Sequence, residues 1–244
     1  MEQGFLAQES KQANKRNRKI FLTLFFVYIC LIAIIIFAVK DSVDLNDYTT
    51  KKLIVCLYIG TGIMLICVTW GLFNASRVAV NGKNLILPFK ENTKEAVGKI
   101  IDQEVSEGKI QVEEYIYEFT EGKKPYGGRV ILTPSYLLLC QSMGKITAIP
   151  RDKIYWICAQ VGHKGSSSFI VRLLIFTEKR TFYMEGTKPE HVEQIADKLY
   201  QYIPNVFSDY DPFILSYELD KLFTQNREAF LEFYEDEKKK NENN

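Results

Sequence analysis

The chain has 244 residues, 31 Lys and Arg against 30 Asp and Glu, and a formal net charge of +1. That balance supplies no strongly basic field, so nucleic-acid binding is not expected. The 47% hydrophobic content averages two unlike parts, because the apolar residues are concentrated near the start.

Residues 1–19 carry Lys11, Lys15, Arg16, Arg18 and Lys19 and read as a basic cytoplasmic segment. Two uncharged runs follow, Ile20–Val39 and Leu53–Phe73, each close to the ~20 residues that cross a bilayer as a helix. Together, residues 20–73 predict a transmembrane hairpin. The first run is longer than the apolar core of a secretory signal, and the residues after it offer no small-residue cleavage site, so a retained span is expected. Arg77, Lys83 and Lys90 follow the second run, whereas the loop between the runs has Lys40, Lys51 and Lys52. Eight basic residues against three place both termini in the cytoplasm of a multi-pass cell-membrane protein. On a helix turning 100° per residue, Cys56, Gly60, Cys67 and Gly71 fall within about 60° of one another. This seam of small residues is a candidate helix-packing surface, for the first span or for a second copy of the chain.

Residues 74–109 read as a juxtamembrane hairpin on Asn81-Gly82, with arms Val78–Val80 and Leu85–Leu87, and then a helix. Asn92 with Glu95 reads as its capping pair, and Gly108 as its end.

From Ile110 to Met184 the apolar period becomes that of strands. Seven are predicted: Ile110–Phe119, Arg129–Thr133, Tyr136–Ser142, Lys145–Ile149, Lys153–Val161, Phe169–Phe176 and Thr181–Met184. Their short turn-forming connections favour an antiparallel meander. A helix follows, with Thr187 and Glu190 as a capping box and Val192, Ile195, Ala196, Leu199 and Ile203 on one apolar face.

Val130-Ile131-Leu132-Thr133-Pro134-Ser135-Tyr136-Leu137-Leu138 resembles the leucine-threonine strand opening of bacterial PH-like and GRAM-like domains, and Ala148-Ile149-Pro150-Arg151-Asp152-Lys153-Ile154, following it, their Ile-Pro…Ile strand junction. The resemblance covers about Ile110–Ile203, and such domains are often set beside one or two membrane spans. It implies an α+β fold in which residues 110–205 form a PH-like antiparallel β-barrel closed by the C-terminal helix. It also implies a binding or scaffold module with no common enzymatic activity. Lipid-binding relatives place basic groups on hairpin loops, which makes Lys123, Lys124, Arg129 and Lys164 the candidate contacts to anionic lipid.

Residues 206–244 read as a helical tail with the stripe Leu219, Leu222, Phe223, Phe230 and Phe233, broken near Asn226 and fraying at its charged end. Five cysteines show no CxxC spacing, and His163 and His191 have no metal-ligand spacing to a partner. No nucleophile elbow, Walker or dinucleotide motif occurs. The expectation is a non-enzymatic protein without cofactor, metal or small-molecule substrate. It would act as a membrane-anchored module docking a protein partner or the inner membrane surface, or as a structural subunit assembling through its spans.

Overall fold

A computed structural model describes residues 4–39, 48–76, 82–89, 92–117, 128–141, 144–164, 168–204, 206–207 and 212–242. The chain divides into two compact units, Ala7–Val80 and Met1–Leu6 with Asn81–Asn244.

The first unit is a pair of helices, α1 (Phe5–Val39, its first turn belonging to the other unit) and α2 (Tyr48–Ser76). The basic segment does not precede the span as a separate element. It is helical and continuous with it, because Lys, Arg, Gln and Ala are good helix formers and nothing interrupts them. With 35 residues, α1 is about 50 Å long and exceeds the ~30 Å apolar thickness of a bilayer. Both helices are long and apolar enough to cross a membrane, and Phe26, Ile34, Ile66 and Trp70 are among the large side chains they expose. Such a surface supports membrane association. Between the helices, Tyr28 Oη lies 3.2 Å from Thr61 Oγ1, which itself donates to the Leu57 carbonyl at 2.7 Å. The threonine proton is used there, so the tyrosine is the donor in the interhelical bond.

In the second unit seven strands appear in the predicted order: β2 (Val112–Tyr115), β3 (Arg129–Leu132), β4 (Tyr136–Cys140), β5 (Ile146–Pro150), β6 (Ile154–Lys164), β7 (Ser168–Thr177) and β8 (Thr181–Glu185). They form an α+β arrangement of two sheets. A five-stranded sheet, which includes the short β1 (Leu85–Ile86), has the order β1-β5-β4-β3-β2, and a three-stranded one the order β6-β7-β8. The expected closed barrel is not formed among the described residues. At Pro150 the chain leaves the first sheet through a 3-10 turn, Arg151–Lys153, and β6 then pairs only with β7. The expected juxtamembrane hairpin is also replaced. Its second arm contributes β1 (Leu85–Ile86), which runs parallel to β5, Leu85 opposite Ile146, while Val78–Asn81 lies outside the described residues.

Alternation along the strands explains the layers. Val130, Leu132, Leu137, Leu139 and Ile149 face a core shared with Ile157, Leu173 and Ile175 of the second sheet. Helix α4 (Pro189–Tyr200) adds Val192, Ile195, Ala196 and Leu199 to that core. On the other face of the first sheet, Ile131, Leu138 and Ala148 pack under Val97 and Ile101 of α3 (Lys94–Ser106) and under Leu6. On the far face of the second sheet, Trp156, Cys158, Leu174 and Phe176 are covered by Leu219 and Phe223 of α5 (Pro212–Gln225) and Phe230 of α6 (Arg227–Glu242). Most of both sheets is therefore buried on both faces, which is why β4 reads as an unbroken apolar run and why the polar Thr147 of β5 is itself buried. The edge strands β2 and β8 are exceptions: Glu113 of β2 is exposed, and in β8 Tyr183 and Glu185 alternate outward from buried Phe182 and Met184.

Three helix ends differ from expectation. Thr93, not Asn92, caps α3, its extended backbone letting Oγ1 accept from the Ala96 N–H at 3.2 Å. Pro189 opens α4 with its preset φ and absent donor, so Lys188 takes the cap position and makes no side-chain capping bond. The charged end of the tail is helical among the described residues. Asn226 caps α6 through the Ala229 N–H, and the helix runs to Glu242, with Glu237 buried and Asn241 Nδ2 donating to the Val206 carbonyl at 2.7 Å.

Candidate functional site, a groove between two helices and the strand ends

The β3–β4 hairpin turns on Pro134-Ser135. Thr133, fully buried, holds it closed, with the Tyr136 N–H donating to Oγ1 and Oγ1 donating to the Tyr136 carbonyl. Ser135 then ties two neighbours to this turn. Its hydroxyl donates to Glu104 Oε1 of α3 at 2.5 Å, and its carbonyl accepts from the Arg151 N–H at 3.0 Å. Arg151 extends the network to Gln111 Oε1 at 3.1 Å. After α4 the Leu199 carbonyl accepts from the N–H groups of both Tyr202 and Ile203, and Pro204 leads the chain out of the helix.

These segments form the floor of a groove of about 1000 Å³. Ile100 of α3 and Tyr234, Lys238 and Asn241, one stripe of α6 at i, i+4 and i+7, also line it. Tyr136, Pro150 and Tyr202 supply apolar surface, while Arg151, Asp152 and Lys238 supply charges of both signs. Burial pushes the Tyr136 hydroxyl above its usual range, reinforced by the Glu104 and Asp152 charges, and burial does the same to Tyr234. Both phenols therefore remain neutral donors at physiological pH. The groove can hold an extended apolar-and-polar ligand by shape, aromatic contact and a few hydrogen bonds. Its volume is at the upper end of the ~300–1,000 Å³ of small-molecule pockets.

The residues singled out from sequence lie elsewhere. Lys123 and Lys124 fall outside the described residues, and Lys164 closes β6 opposite Ser168, its side chain likewise outside them. Arg129 is not on a loop. It opens β3, pairs with Glu113 Oε1 at 2.5 Å, and lies over the rings of Phe5 and Tyr115 with only 13% of its side chain exposed. Its charge is thus committed within the sheet. In the helix pair, Gly71 is buried, and a Cβ there would stand 2.5 Å from the Phe21 ring. Gly60 lies nearest Tyr28, whereas Cys56 and Cys67 are exposed. His191 is structural, its Nε2–H donating to the Tyr115 carbonyl at 2.8 Å.

The groove residues escaped sequence reading because they come from five separate elements. The one signal was indirect: the two strand junctions quoted for the PH-like resemblance, at Pro134-Ser135 and Pro150-Arg151-Asp152, both line it. Comparison with protein-family models, with curated proteins and with solved structures gives no match.

Proposed function

We propose that this protein is a membrane-anchored binding module whose cytoplasmic α+β domain docks a protein partner in the groove between α3 and α6. The observation that carries the reading is the groove, roughly the size of a bound peptide segment and walled by tyrosines, prolines and a helix stripe. Tyrosine and arginine are the residue types that dominate binding energy at protein interfaces, and this groove offers both. Seven strands followed by α4, whose apolar face packs between the sheets, support the PH-like part of the reading. The eight-to-three distribution of basic residues supports cytoplasmic termini. The domain binds and positions; it carries out no chemistry of its own.

Photo-crosslinking in native membranes tests this. A photoreactive side chain at Asp152 or Lys238 of the full chain is expected to give one defined adduct, and at Glu185, on the exposed edge of β8, none. Equal adducts at all three positions, or none, would refute groove docking. Adducts confined to a probe at Cys67, on α2, would favour assembly through the membrane helices instead.

A further inference from the structure

We infer that the domain binds the chain's own N-terminal turn, Gly4–Leu6, as a latch, and so holds the first membrane helix by its cytoplasmic end. The inference extends the membrane reading and does not depend on what fills the groove. Leu6 is 2% exposed and packs in the cluster of Leu85, Val97, Ile101, Ile131 and Leu138. Its N–H is one of the donors that the start of a helix leaves without an intrahelical acceptor, and it donates to Asp102 Oδ1 at 2.9 Å. A carboxylate there also complements the positive end of the α1 dipole. The Leu6 carbonyl accepts from Asn84 Nδ2 at 3.5 Å, and the Phe5 ring lies 5.8 Å from the Arg129 guanidinium.

The seat is shaped for this turn. Gly98 stands inside α3, where a glycine is unfavourable, and a Cβ on it would lie 3.3 Å from Leu6 Cδ1. The missing side chain lets Leu6 pack tightly against α3. Gly4 passes the Asp102 side chain so closely that its own Cβ would meet the carboxyl. A leucine, its N–H and its carbonyl are thus each received by a different part of the domain: the core, α3 and the segment before β1.

A segment buried in a folded domain cannot lie across a bilayer from it, so residues 4–6 and the domain share one side. The chain between them then crosses the membrane an even number of times.

Disulfide trapping in the full-length protein in membranes tests the latch. With Cys30, Cys56 and Cys67 replaced by alanine, the pair Gly4→Cys and Asp102→Cys is introduced. A Cβ on Gly4 would stand 2.5 Å from the present Asp102 Cγ, close to where the second sulfur would be carried. Mild oxidation is expected to close most molecules into an intramolecular disulfide, seen as a reductant-sensitive gel shift. The pair Gly4→Cys with Glu185→Cys should not close. Adding Leu6→Asp to the first pair should slow closure at least tenfold, with buried Cys158 remaining inaccessible to maleimide as the sign that the domain is folded. Closure no faster than the control pair, or closure unchanged by Leu6→Asp in a folded domain, would overturn the latch. Neither result touches the groove, and failed crosslinking at Asp152 and Lys238 would leave the latch standing.

Discussion

Tyr200 reaches from α4 to the backbone of β6, where its hydroxyl donates to the Ile157 carbonyl. Among the described residues that strand has a ladder partner on one side, β7, so the tyrosine supplies a donor to a buried acceptor of β6. Deleting the hydroxyl in Tyr200→Phe should cost about 1–3 kcal/mol, the desolvation penalty of an orphaned acceptor. Burial also pushes the Tyr200 phenol far above its usual value of 10.0, and burial raises Tyr136, Tyr155 and Tyr234 as well. In each case the folded state holds its proton more tightly than the unfolded state. The stabilisation is fully present below pH 10 and is lost as pH rises, because the unfolded chain then releases protons that the folded one keeps. Thermal melts from pH 8 to 11 should show a flat region followed by a fall, and Tyr200→Phe should make that fall shallower. An unchanged slope in the variant would show that Tyr200 does not titrate differently on folding. None of this was readable in sequence, where Tyr200 is one more residue at the end of an amphipathic helix.

At the scale of elements, the tail is a structural layer. Phe230 is fully buried, 5.0 Å from Phe223 and 6.0 Å from Phe176 between ring centroids, and Trp156 sits 5.0 Å from Phe207. Aromatic contacts of this kind add about 0.5–1.5 kcal/mol each beyond simple burial. A chain ending after Pro204 should therefore expose the Trp156–Phe176 face and aggregate, or melt without cooperativity. The milder Phe230→Ala should remain folded and lose about 3–5 kcal/mol in denaturant unfolding. A truncated chain that melts like the full one would show that α5 and α6 are an appendage. The stripe from Leu219 to Phe233 was legible from helical spacing, and so was the break at Asn226. The surface it covers was not, because β6 and β7 are apolar on both faces and the sequence of a doubly buried strand does not say which neighbour takes which face. Cap positions were read one residue out for the same kind of reason. Asn92 and Thr93 are both good caps, and only the extended backbone at Thr93 decides between them.

For the whole molecule, the contrast between exposed apolar helices and a well-buried domain makes topology the first thing to measure. Single cysteines at Gln12, Asn46 and Glu185, in a chain lacking Cys30, Cys56 and Cys67, separate the alternatives. Gln12 and Glu185 are exposed, so failure to label them reflects the membrane and not burial in the fold. With an impermeant maleimide on intact cells, Asn46 should label and the other two only after permeabilisation. Labelling of Gln12 and Glu185 but not Asn46 would invert the assignment. Labelling of Gln12 and Asn46 alone would separate the N-terminus from the domain and contradict the shared side that Leu6 implies.

What sequence alone determined was whatever depends on neighbours along the chain. Uncharged runs about a bilayer long, strand-forming apolar segments and a period near 3.6 in the helices are local properties, and the two long helices, the seven strands and α3 and α4 lie where those patterns did, whereas the juxtamembrane hairpin gave way to β1 pairing with β5. Tertiary structure alone decided what depends on residues far apart. It opened the expected barrel into two sheets by turning the chain at Pro150, and it set β1 parallel to β5. It brought five elements together around one groove, and it seated Leu6 on Asp102, 96 positions away. No local pattern encodes such contacts, because they arise from burying every apolar face at once within the geometry the elements allow.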